Sequence, residues 1–176
     1  VDHTTASAGV AERLAAAAAA RKQGVIDAPV SGGQQGAENG KLTVMCGGSD
    51  TDFAEAKPLM DHYARAVNLL GPAGSGQKTK MANQIAIAGL VQGLSEALHF
   101  AEQANLDVAK VVDVISKGAA QSWQMENRSG TMIEGKFDHG FAVDWMRKDL
   151  GICLEEARKV NASLPVTALV DQFYAD

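Results

Sequence analysis

One lysine and two amides are spaced so that they could act together on a small polar molecule. Lys80, Asn83 and Gln84 stand at positions i, i+3 and i+4 and therefore share one face of a helix. The lysine can protonate an oxygen, and the amides can hold a hydroxyl or a carboxylate. The helix dipole and burial would both lower the pKa of the lysine, so that it could give a proton and take it back. An exposed Lys-Thr-Lys turn explains the spacing equally well.

The glycines before this lysine allow a rival interpretation, a phosphate-binding loop. Residues 71–79 resemble the G-x-x-x-x-G-K-T pattern, except that Gln77 separates Gly76 from Lys78. One extra residue at a helix start rotates the lysine by about 100°, away from the phosphates. No apolar strand ending in a Mg²⁺-binding aspartate is evident downstream. A phosphate-loop NTPase is therefore a remote alternative.

A second polar segment, Ser31-Gly32-Gly33, follows an apolar run at residues 25–30 that predicts a strand. Ligands of open α/β sheets bind beyond the carboxyl ends of strands. The two glycines would let backbone N–H groups approach an anion, and the hydroxyl adds a donor. A tight turn with a capping serine is the alternative, and spacing alone favours it.

A charged pair interrupts a later helix that is otherwise apolar on one side. Lys148 and Asp149 are both costly to bury without a partner. Asp149 is therefore a candidate partner for a nearby cation, and Lys148 could face a cleft.

The elements that must position these side chains change character near residue 74. Before it, strand-like runs alternate with helical stretches, which is typical of an α/β sheet. After it, only helical patterns follow. Strands are predicted at 25–30, 42–46 and 66–70, a loop at 31–40, and helices at 10–22, 50–62 (capped by Asp50 or Asp52), about 77–104, 108–115 (capped by Asp107), from 144 and from 165.

The overall composition excludes several classes of protein. Of the 176 residues, 46% are hydrophobic and 21% charged, so the chain can form a core. The net charge is −5 and no run of Lys and Arg exceeds two residues, which excludes the footprint of nucleic-acid binding. No apolar stretch approaches the ~20 residues of a membrane-spanning helix, and no secretion signal opens the chain. With two distant cysteines and no metal-ligand spacing of its histidines, the sequence predicts a cytoplasmic protein without a metal site.

Four segments, in order along the chain, resemble the β-hydroxyacid dehydrogenase family, which includes 3-hydroxyisobutyrate dehydrogenase and tartronate semialdehyde reductase. They are Asp2–Thr5, Asp27–Gly33, Gly74–Gln84 and Phe141–Leu150. The resemblance implies that Lys80 is the catalytic acid/base. The implied substrate-binding residues are Ser31, Gly32, Gly33, Asn83 and Gln84. The implied contacts to the cofactor, NAD or NADP, are Thr5, Gly76, Phe141 and Lys148.

The resemblance also implies a fold, an α/β part followed by an all-α part. Residues 1–73 would be the C-terminal half of a Rossmann-type domain, and residues 74–176 a helical substrate and dimerisation domain that opens with a long interdomain helix. The family's N-terminal G-x-G-x-x-G unit has no counterpart here. Since Val1 is not a methionine and residues 169–176 are helical without a cap, we expect both ends to be cuts.

The implied activity is hydride transfer between a nicotinamide cofactor and a small β-hydroxyacid or its semialdehyde. A tartronate semialdehyde (2-hydroxy-3-oxopropionate) reductase is the alternative within the family. Outside it, the chain could be an inactive fragment that serves only as a dimerisation or binding module. The expected assembly is a homodimer or homotetramer through the helical part, with no nucleic-acid or membrane partner.

Overall fold

The computed structural model describes residues 1–138 and 140–175 of the chain. The α/β half comes first, and no described residue beyond 69 lies in a strand. The elements in chain order are α1 (Ala8–Ala19), β1 (Val30–Ser31), α2 (Gly33–Glu38), β2 (Leu42–Cys46), α3 (Asp50–Met60), β3 (Ala64–Leu69), α4 (Ser75–Gln103), α5 (Val108–Ile115), α6 (Trp123–Ile133), α7 (Val143–Lys159) and α8 (Pro165–Phe173). This order confirms the predicted fold class, α/β followed by helices.

The three strands form one sheet in the order β1-β2-β3. Strands β2 and β3 are parallel and are joined through α3, which is the strand–helix–strand unit expected of a Rossmann-type half. Strand β1 is antiparallel to β2, with Val30 opposite Val44 and Ser31 opposite Thr43. This pairing places Ser31 at the end of a sheet strand.

The strand predicted at residues 25–30 is largely absent as a regular strand. Asp27 instead forms isolated bridges to Asp2 and to Gly47, and its backbone exchanges hydrogen bonds of 3.0 and 2.8 Å with Gly47. Pro29 has no N–H to extend a ladder, so regular pairing begins only at Val30.

Two further local predictions were wrong, and one helix was not predicted. The predicted loop at 31–40 contains the short helix α2, which Gly32 and Gly33 enter with φ of 129° and 61°. Helix α3 is capped by Ser49, whose Oγ accepts from the backbone N–H of Asp52 at 3.1 Å, and not by an aspartate. Helix α6, capped by Ser122, was not predicted from the sequence.

Other helix boundaries follow the sequence signals. Asp107 caps α5 and accepts from the N–H of Lys110, and Pro165 opens α8. The long helix α4 has 29 residues and begins at Ser75, two residues before the predicted start. No described helix has the length and apolarity needed to cross a membrane.

The chain separates into two compact units. The first comprises Val1–Gln84 with Gly140–Leu164, and the second comprises Ile85–His139 with Pro165–Asp176. The core of the first unit consists of Ile26, Ala28, Leu42, Val44, Cys46, Met60 and Val67. In the second unit Leu94, Leu98 and Met125 are buried against apolar residues of α5 and α6. All of the predicted site residues lie in the first unit.

Candidate active site

The ammonium of Lys80 lies inside the first unit, beside the strand that leads to the predicted substrate segment. Only 7% of the residue is exposed, and its Nζ donates a hydrogen bond of 2.9 Å to the carbonyl oxygen of Val30. Burial is the largest influence on its pKa and lowers it; Asp149 opposes this shift and Lys148 adds to it. A lysine with a lowered pKa can exchange a proton more readily than a surface lysine.

The neighbouring lysine has a different environment. Lys78 is exposed, and its Nζ lies 3.3 Å from Glu12 Oε1 in a surface ion pair. A surface pair of this kind contributes little and does not desolvate the ammonium. The two lysines that spacing alone could not separate are therefore distinguished by burial.

The start of helix α4 is occupied by a carboxylate of the chain itself. Asp27, which is 3% exposed, accepts from the N–H of Gly74 through Oδ1 at 2.8 Å and from the N–H of Gln77 through Oδ2 at 3.0 Å. This carboxylate satisfies free N–H groups of the helix start and offsets the positive end of the dipole. Burial is the largest cause of the lowered pKa of Lys80.

The same carboxylate argues against the phosphate-loop interpretation. A phosphate loop binds its ligand with backbone N–H groups at a helix start. Here two of those groups already bind Asp27, whose negative charge would repel a phosphate. Lys78, the lysine of that interpretation, points to Glu12.

A chain of polar contacts connects the face of α4 to helix α7. The Nε2 of Gln84 donates to Asp149 Oδ2 at 2.7 Å, and both residues are buried, at 2% and 3% exposure. The Nζ of Lys148 lies 3.0 Å from Asp149 Oδ1 and donates to the carbonyl oxygen of Thr5 at 2.9 Å. Asp149 is therefore the partner of a nearby cation, as its place in an apolar helix suggested.

The contact between Lys148 and Asp149 is an ion pair without hydrogen-bond geometry. Asp149 Oδ1 is buried and accepts no hydrogen bond within the described part of the chain, although the ammonium is 3.0 Å away. We treat it as an electrostatic contact, because charge attraction depends weakly on angle and hydrogen bonding depends strongly on it.

The predicted substrate residues occupy two places in the first unit. Ser31 is half-buried and follows Val30, the residue whose carbonyl binds Lys80. Gly32 and Gly33 are exposed, and a side chain at Gly33 would meet nothing within 4 Å, so the backbone there is open to a ligand. Both glycines have positive φ, which L side chains rarely adopt.

The two predicted amides differ in their freedom to bind a substrate. Asn83 is half-buried and donates from Nδ2 to Gln84 Oε1 at 2.9 Å. Gln84 uses its oxygen for Asn83 and its nitrogen for Asp149. The geometry thus gives Gln84 the role of holding Asn83 and Asp149 in place, and its direct contact with a substrate stays a prediction.

Two of the predicted cofactor contacts touch each other and two stand apart from them. Thr5 and Lys148 meet through the 2.9 Å hydrogen bond described above. A Cβ at Gly76 would lie 2.7 Å from the Asp27 backbone oxygen and even closer to the Met45 oxygen, so this glycine lets helix and sheet approach. Phe141 is 57% exposed and has a φ of 58° just before α7. Cofactor contact by any of the four stays a prediction.

Sequence reasoning overlooked two buried polar residues, the side chain of Gln77 and the carboxylate of Asp27. The Oε1 of Gln77 accepts from the N–H of Ala6 at 2.9 Å, and its Nε2 donates to the oxygen of Thr4 at 2.8 Å. The sequence did offer a signal for Asp27, because it interrupts an apolar run and a carboxylate is costly to bury unpaired. Gln77 offered no such local signal.

No group of three or more metal-binding side chains occurs among the described residues. His139, one of the four histidines, lies outside them. The two cysteines are buried free thiols, and burial raises the pKa of each to about 11. The polar groups that could act on a ligand are therefore the lysines, the amides and Ser31.

Comparisons with known proteins identify the family. Residues 74–176 match the family described as "NAD-binding of NADP-dependent 3-hydroxyisobutyrate dehydrogenase". Residues 1–71 match the NAD binding domain of 6-phosphogluconate dehydrogenase. Together the two matches extend over both the α/β half and the helical half.

Individual relatives agree with these matches. An uncharacterized oxidoreductase of Shewanella frigidimarina is 63% identical over all 176 residues, which correspond to 60% of that protein. The 2-hydroxy-3-oxopropionate reductase of Escherichia coli is 38% identical over 149 residues, 85% of this chain and 51% of that protein. The chain thus spans about 60% of the length of the curated relatives it matches, or less.

A solved structure supports the same assignment. The 3-hydroxyisobutyrate dehydrogenase of Mycobacterium tuberculosis, studied with L-serine, superimposes with a TM-score of 0.90 at 28% identity, covering 99% of this chain and 62% of that one. Since one family model matches more than half of the residues, the chain belongs to the β-hydroxyacid dehydrogenase family.

Proposed function

We propose that this chain forms the substrate and catalytic part of an NAD(P)-dependent β-hydroxyacid dehydrogenase, with Lys80 as the acid/base. The observation that carries the proposal is the buried ammonium of Lys80, bonded to the oxygen of Val30 next to Ser31. A buried lysine with a lowered pKa beside an open glycine segment is a typical candidate for proton transfer.

The proton chemistry follows from this position. In reduction, the ammonium of Lys80 protonates the alkoxide oxygen that forms from the substrate carbonyl. In oxidation, the neutral amine accepts the hydroxyl proton of the substrate. Burial keeps the two forms of Lys80 closer in energy than on the surface, so that one group serves both directions.

The substrate is held by the segment that follows Val30. The hydroxyl of Ser31 and the N–H groups of Gly32 and Gly33 would bind its carboxylate, and Asn83 would bind a second polar group. The positive φ of both glycines and the open space at Gly33 support this assignment, because a ligand can approach the backbone there. Gln84 would keep Asn83 and Asp149 in place, and the charge of Asp149 would favour the ammonium form of Lys80.

NAD or NADP supplies the hydride acceptor or donor. Thr5 and Lys148 fit part of the cofactor site. The Nζ of Lys148 donates to the backbone oxygen of Thr5, and the side chain of Lys148 is 41% exposed, so that it can contact an anionic group. Gly76 and Phe141 complete the proposed contacts. The sequence holds no G-x-G-x-x-G pattern, so this chain offers the nicotinamide side of the site and not its phosphate side.

Lys80→Ala tests the proposal in the full-length enzyme, meaning this sequence with whatever residues flank it in its natural coding sequence. We expect kcat to fall by at least ~10²-fold, the low end for losing a general acid/base, while cofactor affinity changes little. Lys78→Ala is the matched control, because Lys78 lies two residues away, exposed and paired with Glu12. A loss below threefold in Lys80→Ala would remove this lysine from the mechanism.

Two substrates compete within the proposed class, 3-hydroxyisobutyrate and 2-hydroxy-3-oxopropionate. The family description supports the first, and the Escherichia coli relative supports the second. The ratio of kcat/KM for the two compounds, each assayed with NAD(H) and NADP(H), decides between them. Turnover of neither, with no cofactor binding, would favour a non-enzymatic dimerisation or binding module.

We also propose the domain division at residues 73 and 74 and assembly into a homodimer or homotetramer through the helical part. The ends of the two family matches, at 71 and 74, support the division. Separate calorimetric transitions for the two domains would agree with it, and a single shared transition would contradict it.

A further inference from the structure

The amide of Gln77 binds both sides of the predicted cofactor residue Thr5. Its Oε1 accepts from the N–H of Ala6 at 2.9 Å, and its Nε2 donates to the carbonyl oxygen of Thr4 at 2.8 Å. Only 2% of Gln77 is exposed, so water does not compete for these bonds. The backbone partners dictate the orientation of the amide, because one is a donor and the other an acceptor.

The backbone of Gln77 is fixed at the same time. Its N–H donates to Asp27 Oδ2 at 3.0 Å, and the other oxygen of Asp27 accepts from Gly74. The close approach at Gly76, where a Cβ would lie 2.7 Å from Asp27 Oδ2, leaves little room for this junction to move. Residue 77 therefore joins the Thr4–Ala6 backbone to the helix that carries Lys80 and to the segment that leads to Ser31.

Lys148 holds the same loop from another direction. Its Nζ donates to the oxygen of Thr5, but 41% of its side chain is exposed. A flexible, hydrated ammonium fixes a loop less firmly than a buried amide with two hydrogen bonds. Gln77 is thus the stronger determinant of where Thr5 lies.

We propose that Gln77 is a positioning residue that sets the Thr4–Ala6 loop against the catalytic helix, and so places Thr5 for the nicotinamide cofactor. This inference rests on the proposed function, because Thr5 must meet the cofactor for the loop position to matter. It gives a role to the residue that breaks the phosphate-loop pattern between Gly76 and Lys78.

A variant with a switchable hydrogen bond tests this role. In Gln77→Glu, the ionised carboxylate can still accept from Ala6 but repels the oxygen of Thr4, whereas the protonated carboxyl can donate to Thr4 as the amide does. Gln77→Leu can do neither at any pH. The charged groups that contact the same segments include Asp27, which accepts from the Gln77 N–H, Asp2, whose Oδ1 accepts from the Thr4 N–H, and Lys148, which donates to the Thr5 oxygen.

The measurement is the Kd for NADH and for NADPH, by fluorescence titration of the full-length enzyme across pH, with hydrogen exchange of the Ala6 amide as a second readout. At alkaline pH we expect Gln77→Glu to bind about tenfold more weakly, the size of one lost buried hydrogen bond, and its Ala6 amide to exchange faster. Lowering the pH should restore both quantities in Gln77→Glu and neither in Gln77→Leu. Gln103→Glu, at the exposed end of the same helix, should match wild type throughout.

The outcomes separate this inference from the proposed function. Wild-type affinity and Ala6 exchange in Gln77→Glu at alkaline pH would overturn the positioning role. Faster Ala6 exchange with unchanged Kd would also overturn it, because the loop position would then not matter to the cofactor. A wild-type enzyme that binds neither NADH nor NADPH would overturn the proposed function, and this inference with it.

Discussion

The two compact units bury different kinds of side chain. In the first, charged and amide groups lie in the interior, namely Asp27, Gln77, Lys80, Gln84 and Asp149. The polar residues that are buried in the described part of the second are two hydroxyls, Ser129 and Thr167. Because buried charges and amides are costly without partners, their concentration in one unit marks where the chain maintains a polar site.

The second unit differs also on its surface. Its large apolar residues are exposed in greater proportion, and they include Leu90, Phe100, Leu106, Val114, Trp123, Ile133, Phe137, Val166, Leu169 and Phe173. Its small core of Leu94, Leu98 and Met125 does not use them. We therefore expect the chemistry in the first unit and propose that the exposed apolar surface of the second unit serves self-association.

A large effect on stability is expected from the core of the second unit. Leu98→Ala should lower the free energy of unfolding by about 2–5 kcal/mol, because it leaves a cavity beside Leu94 and Met125. Urea denaturation measures this loss, and exposed Leu90→Ala, as the control, should change it by less than about 0.5 kcal/mol. If Leu98→Ala moved the pH profile of turnover under native conditions, the assignment of the chemistry to the first unit would be wrong.

A smaller but more specific effect is expected in the first unit, from the two charges that act on Lys80. Asp149 raises the pKa of Lys80 and Lys148 lowers it. In Asp149→Asn the pKa of Lys80 should fall further below its ordinary value of 10.5, and in Lys148→Gln it should rise.

The sign of the activity change follows from the proton that Lys80 carries. Oxidation needs the neutral amine, so the oxidation activity of Asp149→Asn should appear at a lower pH than in wild type. Reduction needs the ammonium, so the reduction activity of this variant should also disappear at a lower pH than in wild type. In Lys148→Gln both the onset of oxidation and the loss of reduction should move to higher pH. Profiles of kcat/KM against pH measure the shifts, with Lys136→Gln in the second unit as the control. Shifts of both variants in the same direction would contradict the electrostatic account.

The smallest effect on catalysis is expected at the apolar surface of the second unit. Phe100→Ser should leave the unfolding free energy of the monomer within about 0.5 kcal/mol, because the ring is 70% exposed. It should weaken self-association in sedimentation velocity, since a polar side chain is less favourable in an apolar interface. Leu59→Ser, equally solvent-facing in the first unit, is the control. Equal loss of association in both variants would contradict assembly through the helical part.

Much of the fold was predictable because its signals are local. The apolar run at residues 42–46, the Asp107 cap and the proline at 165 each act within a few residues, and the structure has β2, α5 and α8 at those places. Helices α2 and α6 were not predicted. Glycines at the start and in the middle of α2, and a glycine within the largely polar α6, weaken the local helix signal.

The candidate site also has features that the sequence predicts and features that depend on the tertiary structure. The sequence by itself determined which polar side chains share a helix face, because Lys80, Asn83 and Gln84 follow the 3.6-residue period. Spacing alone left Lys78 and Lys80 as nearly equal candidates, because both stand at the same helix start, and the resemblance to the family selected Lys80. Tertiary structure decided their environments, by burying Lys80 beside Val30 and leaving Lys78 exposed with Glu12, and the catalytic role of Lys80 stays a prediction. The physical reason is that burial and its effect on a pKa arise from residues about 50 or more positions away, which no local pattern records.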